Sequence, residues 1–174
     1  MKLPTAYQWL SLEDAPRHML KAIELYGTQE TVGPKHNPVI MGWAKEVGLS
    51  SVYTADEIPW CGLFVGHCID EAGIKVTIEN PLLAKEWNNF GSGVQPCYGA
   101  IMVFTRDGGG HVGFYVSEDA DTYHILGGNQ SDMVNITRVG KERLFGARWP
   151  KEYIHLVTKP IIAKFNATIS RNEA

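Results

Sequence analysis

Cysteine is scarce in this 174-residue sequence: Cys61, Cys68 and Cys97 are an odd set without a C-x-x-C pair. That excludes a disulfide framework and a zinc ribbon as organising features and leaves at least one thiol free. A dominant charge is also missing. With 16 basic against 19 acidic residues, the chain has no electrostatic footprint for gripping a nucleic-acid backbone or anionic lipid, so no nucleic-acid partner is expected. No apolar run is long enough to span a bilayer, and Met1 to Ser11 lacks a signal-peptide core. The expectation is synthesis in the cytoplasm without a signal peptide and with no integral membrane segment. Low-complexity tracts are absent, and 44% hydrophobic with 20% charged residues is the composition of a chain that folds around a core.

What is present reads as one domain over residues 1–150, with 12–30 as a helical lead-in and 151–174 as a C-terminal extension. From Leu12 to Tyr26, apolar residues recur at three- and four-residue steps, predicting an amphipathic helix. A second helix is predicted from Val39 to Val47 and a third from Pro59 to Gly73, with a short one around Leu82 to Phe90. The pattern then changes to short runs rich in valine, isoleucine and aromatics: Ala100 to Phe104, His111 to Ser117, Thr122 to Leu126, Met133 to Thr137 and Phe145 to Trp149. Helices followed by antiparallel strands predict an α+β fold, the N-terminal helices packed on a sheet of about five strands. Tyr153 to Val157 and Ile161 to Ile169 read as a loosely attached strand and tail.

Chemistry concentrates at Pro59-Trp60-Cys61-Gly62-Leu63-Phe64-Val65. A thiol in a first helical turn feels the positive end of the helix dipole, which favours the nucleophilic thiolate. His111 opens a strand directly after Gly108-Gly109-Gly110, where a bare backbone leaves room for a substrate to approach an imidazole. A third group must fix the imidazole tautomer, and Gly127-Gly128-Asn129-Gln130 offers Asn129 first and Gln130 second. Trp60, Trp87 and Tyr115, with Gln130, are candidates to line a substrate groove. No cofactor is implied. A zinc site drawn from Cys61, His67, Cys68 and His111 is disfavoured, because Cys61 and Cys68 lie two helical turns apart and His67 projects about 100° away from Cys68.

Taken in order, Pro59-Trp60-Cys61-Gly62-Leu63-Phe64-Val65, Gly110-His111-Val112-Gly113-Phe114 and Gly127-Gly128-Asn129-Gln130 resemble the papain-like NlpC and CHAP superfamily (cysteine, histidine-dependent amidohydrolase/peptidase). The likeness is to its endolysin-like peptidoglycan hydrolases, which carry P-W-C-[SA]-x-F-V, G-H-V-G-F and G-G-N-Q. It takes in Gly33-Pro34-Lys35-His36-Asn37-Pro38, Trp87 and Arg148-Trp149-Pro150, and so roughly residues 20 to 150. The resemblance implies a papain-like fold and a peptidoglycan substrate, with Cys61 as nucleophile, His111 as general base and Asn129 as the orienting group. Two departures stand out: Gly62 replaces the family's usual serine or alanine, and the glutamate many members place before the equivalent asparagine is missing.

The implied function is cleavage of an amide or peptide bond in the bacterial cell wall through an acyl-enzyme, with the Cys61 N–H as one oxyanion donor and Tyr53, Thr54 or Trp60 supplying the second. The alternatives are an acyltransferase using the same thioester and a non-catalytic peptidoglycan-binding module. Reaching the wall would then require release or export by separate machinery. That fits either a phage lysin or an antibacterial effector, the latter with an immunity protein as partner.

Overall fold

A computed structural model describes residues 2–163. Three α-helices, α1 (Arg17–Glu24), α2 (Pro38–Glu46) and α3 (Cys61–Glu71), come first. They are followed by β1 (Ser92–Gly93), β2 (Ile101–Arg106), β3 (Gly109–Glu118), β4 (Thr122–Gly127), β5 (Asn135–Gly140) and β6 (Leu144–Trp149). The strands form one sheet in the order β1-β6-β2-β3-β4-β5, antiparallel throughout. The expected α+β architecture, helices on an antiparallel sheet, is therefore present. The five expected strands correspond to β2 to β6, and the two-residue β1 at the edge is an addition. Among the described residues, no helix is long and apolar enough to cross a membrane.

Local chemistry explains where the elements start. The first helix begins at Arg17, not Leu12, because Pro16 is extended (φ −56°, ψ 149°) and disfavours helical backbone at the residue before it. The segment before it forms a 3₁₀ turn over Thr5–Ser11, with Tyr7 and Leu10 buried. In α2, Pro38 occupies the first turn and the Asn37 side chain accepts the Val39 N–H, an N-cap of the expected kind. The short helix near Trp87 is a 3₁₀ segment over Ala84–Asn89. Tyr153 to Val157 is not a strand: Lys151–Leu156 is a 3₁₀ turn on the surface, entered through Pro150. The predicted tail from Ile161 reaches a single bridge between Ile162 and Glu118, and its remainder lies outside the described residues.

The core lies between α3 and the sheet. Every residue of α3 from Cys61 to Ile69 is buried, so this helix is enclosed all round rather than amphipathic. Its sheet-facing side meets β3 and β4, with the Phe64 ring against Phe114; on the other side, Gly66 lies beside the Trp87 ring. At the far end of the molecule a buried polar chain anchors the N-terminal segment. Tyr7 Oη lies 3.0 Å from His124 Nδ1, His124 Nε2 lies 2.9 Å from Asp119 Oδ2, and Arg138 binds the same carboxylate. Such a chain rigidifies a core only if every member is satisfied, as here.

Candidate active site

Two loops fix the start of α3. Asp56, fully buried, accepts the N–H groups of Thr31 (3.1 Å) and Asn37 (2.7 Å) and pairs with His36 Nδ1 at 3.0 Å. These bonds hold its carboxyl below the usual range despite burial, which acts in the opposite direction. The segment Gly33 to Pro38 is thus scaffolding that ties the loop before Cys61 to α2. Trp60 then caps the helix without a side-chain bond: its own N–H donates to Asn129 Oδ1 (3.2 Å), and its indole N–H donates to Glu30 Oε1 (2.5 Å). Asn129 Nδ2 donates to the same Glu30 oxygen at 3.2 Å, closing a three-residue clasp. Burial, followed by the charges of Asp132, Asp56 and Glu57, pushes the Glu30 carboxyl up, while the Trp60 indole bond opposes it.

Cys61, the first residue of α3, is 5% exposed. Burial pushes its thiol up; the backbone N–H of Val112, the charge of Arg106 and the N–H groups of Gly62 and Cys61 pull in the other direction. Burial at this helix start therefore opposes the bias towards thiolate expected from the dipole. Val112 follows His111 on β3, so the N-terminus of α3 and the histidine strand meet at this thiol.

His111 is 2% exposed, and its Nε2 lies 2.9 Å from Gln130 Oε1. The orientation of the Gln130 amide is fixed elsewhere: its Nε2 donates to the carbonyls of Asn135 (2.6 Å) and Ile125 (3.2 Å), and its Oε1 also accepts from Thr137 Oγ1 (2.9 Å). An oxygen facing Nε2 requires the neutral imidazole to carry its proton there, which puts the lone pair on Nδ1. The group on the imidazole is therefore Gln130. Asn129, the first candidate, is turned towards Trp60 and Glu30 instead.

Both glycines ahead of this pair are required by close approach. A Cβ at Gly127 would lie 2.9 Å from Gln130 Oε1 and 3.2 Å from His111 Nε2. One at Gly128 would lie 2.6 Å from the Trp60 ring and 2.7 Å from Phe64 Cβ. Gly62 is explained in the same way: a Cβ there would fall on the Pro81 carbonyl, so glycine does not loosen the turn but lets the Pro81 segment close over it.

The aromatic groove expected from Trp60, Trp87 and Tyr115 is not there. Each side chain is completely buried, with its polar atom engaged inside: Trp60 with Glu30, Trp87 with the Pro81 carbonyl and Tyr115 with Glu118. The Trp60 N–H is committed to Asn129 and is removed from the oxyanion candidates, whereas the Tyr53 hydroxyl is buried with no hydrogen-bond partner among the described residues. His67 stacks on Trp43 and lies 2.9 Å from Glu46, and no group of three or more histidine, cysteine or carboxylate residues suited to a metal occurs among the described residues. A cavity of about 530 Å³ lies elsewhere, lined by His18, Ala72, Ile74, Trp149 and Tyr153 among others, and includes none of the residues above.

Sequence reasoning missed Glu30, Asp56 and Arg106. Asp56 and Glu30 act through loops whose pairing no local pattern reveals, and Arg106 is signalled only by its place in the hairpin before His111.

No curated protein and no solved structure matches the chain. The stretch 53–129, which runs from Tyr53 through Cys61 and His111 to Asn129, matches the CHAP domain; the match supports a CHAP/NlpC-type assignment and points, in general terms, to peptidoglycan hydrolase or amidase activity.

Proposed function

We propose that this protein is a cysteine amidase or endopeptidase of bacterial peptidoglycan, of the endolysin-like kind, with Cys61 as nucleophile, His111 as general base and Gln130 as the residue that orients it. The observation that carries the reading is the fixed amide of Gln130 against His111 Nε2, on the strand whose next residue, Val112, has its N–H close enough to influence the Cys61 thiol. In the forward step the Cys61 proton passes to Nδ1 as sulfur bonds to the scissile carbonyl carbon. The imidazolium then delivers that proton to the departing amine as the C–N bond breaks. Water, deprotonated by His111, attacks the thioester and restores the thiol. Wall access through release or export by separate machinery belongs to this reading, as does an immunity partner if the protein acts as an effector.

Incubation of purified sacculi with wild type and with Cys61→Ala, followed by mass spectrometry of the soluble muropeptides, tests it. New fragments are expected from wild type alone, with Cys68→Ala and Cys97→Ala behaving as wild type. Identical digests from wild type and Cys61→Ala would remove the assignment.

A further inference from the structure

Arg106 is partly exposed, but its Nε is a buried donor with no hydrogen-bond partner among the described residues. It ends β2, opposite Gly109 in the register that places Phe104 opposite His111, so Arg106 and His111 share one face of the sheet. Its Nε sits over Gly109, 4.0 Å from where a Cβ would project, and has no hydrogen-bond partner among the described residues. No described carboxylate forms an ion pair with it, and the neighbouring Asp107 is exposed to solvent. A buried donor left unmet costs about 1–3 kcal/mol, more for a charged group, so such a group calls for an explanation. Its charge acts on Cys61, which places the guanidinium within electrostatic reach of the thiol.

We infer that Arg106 is a specificity-determining residue that binds a carboxylate of the substrate close to the scissile bond, so that the preferred substrate is an acidic peptide. The inference rests on Cys61 and His111 forming the reactive site as proposed above. A guanidinium presents a planar pair of donors that matches a carboxylate, and Gly108 and Gly109 put no side chain over the hairpin end beside it.

Cys61 itself provides a probe that does not require hydrolysis. The rates at which iodoacetate and iodoacetamide alkylate Cys61, each thiolate displacing iodide, are measured by peptide mapping for wild type, Arg106→Gln and Arg106→Lys. Loss of the guanidinium changes thiolate availability equally for both reagents, so their ratio isolates recognition of the carboxylate. The iodoacetate-to-iodoacetamide ratio is expected to fall roughly tenfold in Arg106→Gln, as for loss of one charge-assisted hydrogen bond, and less in Arg106→Lys. An unchanged ratio overturns the inference whether or not the protein cleaves peptidoglycan. On wild type alone, N-acetylglutamate should slow iodoacetamide alkylation of Cys61 more than N-acetylglutamine does, and equal effects would also overturn it. A ratio that falls while Cys61→Ala digests sacculi like wild type would leave the anion site standing and the hydrolase reading failed.

Discussion

Gln130 Oε1 sits 2.9 Å from His111 Nε2, and the Gln130 amide is held in that direction by Ile125, Asn135 and Thr137. The tautomer of the proposed base is thus set by a side chain that is itself immobilised. Gln130→Leu is expected to lower kcat by roughly 10²-fold or more, with KM near wild type, because the imidazole loses its orientation rather than its substrate contacts. Gln130→Glu would stabilise the imidazolium and move the acidic limb of the pH–rate profile upward. Steady-state kinetics across pH on a soluble muropeptide measures both.

Asn129 acts on a different partner, and its variants should separate from those of Gln130. Asn129→Ala removes the acceptor of the Trp60 N–H and one donor to Glu30, and puts a Cβ-bearing residue without a compensating side-chain bond at φ 54°. Stability is expected to fall by about 1–3 kcal/mol, with the shape of the pH–rate profile retained. Chemical denaturation alongside the kinetics would show it; a shifted profile with wild-type stability would contradict this division of roles.

Gly128→Ala tests how closely the Gly127-Gly128 stretch approaches α3. The new methyl would press on the Trp60 ring and on Phe64 Cβ at 2.6 and 2.7 Å, so either the turn or the helix start must move. Overpacking of this kind costs about 1–3 kcal/mol, which lowers Tm by roughly 2–12 °C in a domain of this size. Differential scanning calorimetry gives the answer directly.

Acid should destabilise the fold before carboxylates alone would. Burial, only partly offset by the Gly99 carbonyl bond, lowers His18 from 6.5 to about 4, and burial also lowers His67 and His124. A histidine kept neutral in the folded state contributes stability that is complete above pH 6.5 and is lost as pH falls from there towards its folded value. For His18 that contribution is roughly 3 kcal/mol. The depressed carboxyls of Asp56 and Asp119 add a second loss only as pH drops below their usual value of 3.8. Tm measured from pH 7 to 4 should therefore decline steadily, and a flat curve over that interval would refute the assignment of His18 as buried and neutral.

The order of helices and strands, the position of Cys61 at a helix start and that of His111 in a strand beyond a glycine turn were legible because each depends on local pattern and turn chemistry. The identity of the third group was not. Strand alternation ends with Gly127, and Asn129 at φ 54° bends the chain so that the next side chain, not its own, returns to the sheet. Two adjacent amides cannot be ranked without that angle. The same limit hid the role of Gly62, whose reason is a carbonyl nineteen residues away at Pro81, and made Trp60 and Trp87 look available to a ligand when the core had already enclosed them. Pro16, by contrast, carried a local signal that the apolar spacing from Leu12 to Tyr26 obscured.

The contact between Tyr7 and His124 joins residues 117 positions apart. As a ribosome delivers the chain in order, the first 3₁₀ turn emerges long before its partner strand and has nothing polar to close upon. Docking of that turn is therefore a late event, delayed until β4 and the Asp119 loop exist, and the entropy of closing so long a loop falls on the final stages of folding. Nascent chains halted before β4 should leave the leading segment open to protease, whereas the finished protein protects it.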